Sequence, residues 1–304
     1  MELAIDLSTE YGLALEGGGA KGAYQIGVLN AFQEAGMRIC AIAGVSVGAL
    51  NGALFCQGSL AKAENLWKSL TRDCIFPAME NRQNAAAFFR MLQNGGLAIN
   101  PLRQLITENV DIPKLKASPI PLYVAAFSRE RRREVAYDVR KLPDAEICDM
   151  LLASAYLPLF RKEKLAGGTF LDGGILDKVP VDLLKRQGVK HIIAIRIFGI
   201  GLNRVPLMRL EADETYMEVK PEENLGGMLS FSPERAVYHM QLGYYDGLRF
   251  LYGLSGKKYY FDCDKYEKMC YNIESMEKLG AKLGLPRFQV YHPHAFIERI
   301  RENS

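Results

Sequence analysis

Gly44-Val-Ser-Val-Gly48 sets a serine between two glycines, directly after the apolar run Arg38 to Ala43 and before a helix of small residues. A turn from strand to helix that presents a nucleophilic serine bends so sharply that only small residues fit two places before and after it. Ser46 is therefore the candidate nucleophile, standing at the carboxyl edge of a sheet, with Gly44 and Gly48 shaping the elbow. The N–H of Val47 would face an oxyanion forming on a substrate carbonyl. The chemistry such a serine serves is acyl transfer.

A second stretch, Glu16-Gly-Gly-Gly-Ala-Lys-Gly22, also follows a strand and opens a helix. Gly17-x-Gly19-x-x-Gly22 has the spacing of a dinucleotide fingerprint, but that site needs an acid about 20 residues on to hold a ribose hydroxyl. The second strand instead ends Ala43-Gly-Val-Ser46. A P-loop is excluded because Ala23-Tyr24, and not Lys-Ser/Thr, follows Gly22. Backbone N–H groups at a helix start attract negative charge, and glycines let a carbonyl approach closely. The loop Gly17, Gly18, Gly19, Ala20, Lys21 and Gly22 is thus a candidate oxyanion hole beside Ser46.

A serine hydroxyl needs a base. His191 starts a strand, at the amino edge away from the expected site, and His239 lies in a helix among aromatics. His292 and His294, in Tyr-His-Pro-His-Ala, stay open, since a late histidine is a common hydrolase arrangement. Asp172 is preferred: it ends the short run Thr169-Phe-Leu171, and Gly173-Gly174 let the backbone turn it inward. A carboxylate within about 3 Å, desolvated enough to gain basicity, can take the serine proton directly.

The elements that would position these groups alternate. Tyr11 to Leu15 is a strand, Ala20 to Ala35 a helix, Arg38 to Ala43 a strand, and Val47 to Cys56 a helix. That order predicts a parallel sheet with helices on its faces. Residues 60–109 look helical throughout, with breaks near Pro77, Gly95-Gly96 and Pro101. Pro121 to Phe127 and Glu134 to Val139 predict a hairpin around Arg129-Glu-Arg-Arg-Arg133. Asp144 to Tyr156 and Val181 to Gln187 predict helices, and His191 to Phe198 a strand. Residues 200–232 look irregular; the remainder looks helical, with a strand around Lys258 to Phe261. Phe88-Phe89 and Met91-Leu92 suit core packing, or an acyl pocket or lid.

Bulk properties narrow the class. The 304 residues carry a net charge of only +3, with 49% hydrophobic and 24% charged residues. No basic block exceeds three residues, so a nucleic-acid partner is not expected. The arginine cluster reads as a solvated hairpin tip, or as an attraction to anionic headgroups. No run approaches the roughly 20 apolar residues of a membrane span, and the first residues do not read as a signal peptide. The six cysteines show no Cys-x-x-Cys pair. They read as buried thiols in a reducing cytosol, not as a metal or disulfide site.

Four blocks together match a known set: Gly17-Gly-Gly-Ala-Lys-Gly22; Gly44-Val-Ser-Val-Gly48 with Asn51-Gly52; Ala153-Ser-Ala-Tyr-Leu-Pro-Leu-Phe160; and Asp172-Gly-Gly174 with Val179-Pro-Val181. In motif and order the chain resembles the patatin-like phospholipases, in particular bacterial members. The resemblance implies an α/β fold of three layers, α/β/α, with a mainly parallel central sheet. An acyl-hydrolase core at 1–200 would carry a helical C-terminal extension at 201–304 on the same domain. It implies a Ser46–Asp172 dyad, an acyl-serine intermediate, no cofactor and no metal. Backbone N–H groups near Gly18, Gly19 and Ala20 would bind the oxyanion, and residues 153–160 would wall the site. The substrate would be a fatty-acyl ester, of phospholipase A or lysophospholipase type, met by a cytoplasmic protein in transient contact with a membrane surface. One departure is Lys178, where members often carry Asn. Pro221-Glu-Glu-Asn-Leu-Gly and Gly243-Tyr-Tyr-Asp are similar to C-terminal segments of bacterial members.

Overall fold

The computed structural model describes residues 1–76, 96–175, 177–205 and 209–303. The first half alternates as the apolar runs predict: β1 (Glu10–Leu15), α1 (Ala23–Glu34), β2 (Arg38–Gly44), α2 (Val47–Cys56) and α3 (Leu60–Ser69). Next come α4 (Asn100–Asn109), α5 (Ile112–Ala117), β3 (Leu122–Ser128), β4 (Arg133–Asp138) and α6 (Asp144–Ser154). Then follow β5 (Phe170–Asp172), α7 (Val181–Lys185), β6 (His191–Ile195), β7 (Thr215–Val219) and α8 (Pro233–Tyr252). A small terminal group closes the chain: β8 (Tyr260–Phe261), α9 (Lys265–Cys270), α10 (Ile273–Lys282), β9 (Val290–Tyr291) and α11 (Pro293–Glu302).

The central sheet runs β4-β3-β2-β1-β6-β7, with β5 also paired to β3. The pairs β1–β2, β1–β6, β2–β3 and β6–β7 are parallel, and only β4 and β5 run antiparallel to β3. This is the expected α/β class with a mainly parallel sheet. Alternation along β1 splits its side chains between two cores, as strand geometry requires. Leu13 and Leu15 join the large core under α1, α2 and α6, while Ala14 faces a thin one filled by Val179, Val181 and Leu184.

Two features of the sheet position the site. Along β3, the end of β2 pairs Gly44 with Val124, and β5 then pairs Asp172 with Ala126. β5 therefore continues the line of β2 along the same edge of β3, which brings the end of β5 to the elbow after β2. The second feature is α8, whose backbone meets that of α1. A Cβ on Gly27 would overlap the Met240 carbonyl, and one on Gly243 the Tyr24 carbonyl. Ser232 caps α8, accepting the Arg235 N–H at 3.2 Å.

Several sequence expectations need correction. Residues 200–232 are not wholly irregular, because β7 pairs in parallel with β6. Its side chains are mostly half-buried, so no clean alternation marks it. The strand expected over His191 to Phe198 ends at Ile195, and Phe198 turns the chain at φ 50°. The short strand β9 carried no signal in two residues. Within 60–109, α3 and α4 are helical, but the break at Pro77 and the residues Phe88-Phe89 and Met91-Leu92 lie outside the described residues.

Candidate active site

Ser46 follows β2 and caps α2 with φ 55° and ψ −126°, a conformation that non-glycine residues rarely hold without enforcement. The enforcement is steric. A Cβ on Gly44 would lie 2.5 Å from the Gly48 carbonyl oxygen, and one on Gly48 would overlap the carbonyl of Leu15. Ser154, at the end of α6, adds a polar clamp: its hydroxyl accepts the Ser46 N–H at 2.9 Å and donates to the Ala125 carbonyl at 2.6 Å. The elbow is thereby tied to β3, the strand whose Ala126 pairs with Asp172 of β5.

Asp172 is 6% exposed and Ser46 8%. Burial pushes the Asp172 carboxyl up from 3.8 to about 6, opposed by the Ser46 hydroxyl and by the Gly174 N–H. The Gly174 bond is 2.8 Å long, and the Asp172 N–H donates to the Tyr156 carbonyl at 2.8 Å. A buried carboxyl with a raised pKa beside a strained serine is the pairing that marks functional sites.

The glycine loop is narrower as a donor set than its sequence suggests. The Gly17 N–H donates to the Lys178 carbonyl, that of Ala20 to the Met228 carbonyl, and that of Lys21 to the Gly18 carbonyl. These three amides are spent inside the protein and cannot also bind an oxyanion. Gly22 closes a 3-10 turn, and its missing side chain makes room for Val47, Trp67 and Asn51. Among the described residues, the N–H groups of Gly18, Gly19 and Val47 have no partner. Gly19 sits at φ +58° with the Met228 carbonyl where a Cβ would be, so the loop shape there requires glycine.

Beneath the loop lie residues that no sequence motif singles out. Glu16 is fully buried, and its carboxylate accepts the N–H groups of Ile197, Phe198 and Gly199 and the Arg196 Nε–H. Lys178 stands 3.5 Å from it. Gln25 donates to the Glu16 carbonyl, Asn51 to Gln25 and to the Gly22 carbonyl, and Trp67 to Asn51. A signal existed for one pair: Glu16 and Arg196 are lone charges just past two apolar strands, and β1 and β6 prove to be neighbours. A buried polar group without a partner is costly, so such charges announce each other.

Two cavities meet at Ser46. One is lined by Ser46, Val47 and Gly19 and then by apolar side chains alone apart from Asn51 and Trp67, including Leu50, Leu54, Leu66, Leu70, Leu102, Leu105 and Phe231. Phe76 and Phe160 stack in its wall at 5.7 Å. The other holds Ser46, Asp172, Gly18 and Gly174 with Leu157, Pro158, Leu159, Met228 and Leu229. Residues 155–160 thus wall both cavities. No histidine lines either one. His191 Nδ1 is 3.0 Å from the Thr215 hydroxyl, His292 is 3.0 Å from Glu267, and His294 is 3.6 Å from Glu298. Burial holds His239 down at about 4. Arg131 to Arg133 are exposed where β3 turns into β4.

Residues 13–185, more than half of the chain, match the family described as patatin-like phospholipase. Neuropathy target esterase sws of Drosophila melanogaster is 27% identical over 190 residues, 61% of this chain and 13% of that protein. An NTE family protein of Mycobacterium tuberculosis is 27% identical over 192 residues, covering 63% of this chain and 50% of its own length. Human patatin-like phospholipase domain-containing protein 6 is 28% identical over 61% of this chain and 13% of its own length. The chain therefore spans half or less of these relatives. Among solved structures, VipD from Legionella pneumophila aligns with a TM-score of 0.45 at 16% identity, covering 90% of this chain and 75% of VipD.

Proposed function

The chain belongs to the patatin-like phospholipase family, and from that premise we propose that it hydrolyses fatty-acyl esters of lipids through a Ser46–Asp172 dyad. Lipid hydrolysis is the activity the family name carries; the dyad and the ester class are argued from the site. The observation that supports them most is the strained Ser46 at the junction of two cavities, one of which also holds the buried Asp172 carboxyl, pushed up to about 6.

In the reaction, Asp172 accepts the hydroxyl proton as the Ser46 oxygen attacks the ester carbonyl. The tetrahedral oxyanion is stabilised by the free N–H groups of Gly18, Gly19 and Val47. One such donor contributes roughly 3 kcal/mol to a transition state of this kind. Collapse expels the alcohol, which takes the proton back from Asp172. Water then attacks the acyl-serine with the same carboxylate as base, and the fatty acid leaves. The backbone at Ser46 is locked by Gly44, Gly48 and Ser154, and the loop beside Gly19 by the Met228 carbonyl, so little reorganisation is needed as charge develops.

The apolar cavity fits one acyl chain, and the second cavity, which holds Asp172, leaves room for the alcohol and its headgroup. That division supports a lysophospholipase or phospholipase A specificity. It is tested by hydrolysis of p-nitrophenyl butyrate, p-nitrophenyl decanoate and lysophosphatidylcholine, with fluorophosphonate labelling alongside. Wild type should turn over all three and be labelled. Ser46→Ala should lose about a thousandfold or more in rate, along with the label. A wild-type protein that is neither active nor labelled would refute the proposal.

A further inference from the structure

Beyond β6 the chain forms a loop that is held firmly yet displays large apolar side chains. Glu16 accepts the N–H groups of Ile197 at 2.7 Å, Phe198 at 3.0 Å and Gly199 at 3.2 Å. From the other side, Lys21 Nζ donates to the Phe198 carbonyl at 2.6 Å and Lys178 Nζ to the Gly199 carbonyl at 2.8 Å. The Lys178 N–H donates to the Leu202 carbonyl at 2.9 Å. On this braced backbone Phe198, Ile200 and Leu202 are 46%, 81% and 57% exposed.

Ile200 also lines the cavity that holds Ser46 and Asp172, so the middle of the display is on the rim of the site. Single exposed apolar residues are ordinary, but a contiguous set at a binding mouth marks an interaction surface. Cations flank it. Arg204 is exposed on the loop side. Lys162 and Lys164 are exposed just after Pro158 and Leu159, which line the same cavity as Ile200, and the intervening Glu163 is paired with Arg103 at 2.9 Å. An apolar rim with a cationic fringe is complementary to the anionic surface of a bilayer.

We propose that the 198–202 loop docks the mouth on an anionic lipid surface. Phe198, Ile200 and Leu202 enter the interface, and Lys162, Lys164 and Arg204 face the headgroups. The proposal rests on the lipid acyl-hydrolase reading, since it needs a mouth that takes a lipid. The rigid loop spares the ordering entropy that a flexible segment would lose on insertion.

The test separates the two ideas. Vesicle co-sedimentation is measured in a Ser46→Ala background, with phosphatidylcholine alone and mixed with phosphatidylglycerol. Turnover of soluble p-nitrophenyl butyrate is measured with Ser46 intact. Phe198→Asp combined with Leu202→Asp should cut partition to the mixed vesicles about tenfold or more while butyrate turnover persists. Leu202→Trp should show a blue-shifted emission component with mixed vesicles. Unchanged sedimentation of the double variant, or no shift from Leu202→Trp, would overturn the proposal. If the double variant also loses butyrate turnover, the fluorescence result decides. A wild type that hydrolyses butyrate but ignores every vesicle would also overturn it and favour a protein partner on the loop. Absent butyrate turnover in wild type would instead undo the hydrolase reading.

Discussion

At the scale of single residues, the site turns on how burial acts on one carboxyl group. Asp172 must be ionised to accept a proton, yet desolvation raises its pKa from 3.8 to about 6, so the folded protein holds that proton more tightly than the unfolded chain does. The stabilising proton binding is complete below about pH 4 and is lost as pH rises through about 6. At neutral pH the ionised carboxylate is a local strain on the fold. Asp172→Asn should therefore stabilise the protein by ~1–3 kcal/mol at pH 7 to 8 and by little at pH 4, read by urea unfolding at both. Equal effects at the two pH values would mean that the group is not desolvated as described. In wild type, kcat/KM for a neutral ester should fall about tenfold per pH unit below about 6, as the base protonates. His239, held down at about 4, cannot supply that limb.

At the scale of elements, α2, α3 and α4 supply walls of the cavity proposed to take the acyl chain. Leu50, Leu54, Leu66 and Leu105 come from three helices that share no local sequence signal. The elbow and the glycine loop were legible because their backbones demand glycine at fixed spacings, and Asp172 because a glycine pair follows it. The cavity was not legible, since a leucine that lines a cavity and one that fills a core have the same type and period. Nor was the clamp from Ser154 or the far wall from Met228 to Phe231, which depend on contacts over long separations. The donor set was overread for a related reason: which loop amides stay free depends on the carbonyls of Lys178 and Met228. Leu105 is only half-buried, so Leu105→Trp should fold while shortening the cavity. The kcat/KM ratio of decanoate to butyrate esters should drop about tenfold, since each buried methylene is worth roughly 0.8 kcal/mol. An unchanged ratio would place the acyl chain elsewhere.

At the scale of the whole molecule, the residues after 200 are part of the machine that holds the site. They supply β7 to the sheet, α8 to brace α1 behind the glycine loop, and the Met228 carbonyl that fixes Ala20. Among the described residues no helix is long and apolar enough to cross a membrane. All of this architecture converges on one serine and one aspartate, each at the end of a strand paired to β3 or beside it. The most direct test is the rate of p-nitrophenyl ester hydrolysis by Asp172→Asn, compared with the double variant His292→Ala/His294→Ala. The account predicts that Asp172→Asn loses about a thousandfold or more while the histidine variant matches wild type. An active Asp172→Asn beside a dead histidine variant would contradict the dyad and put a histidine in its place.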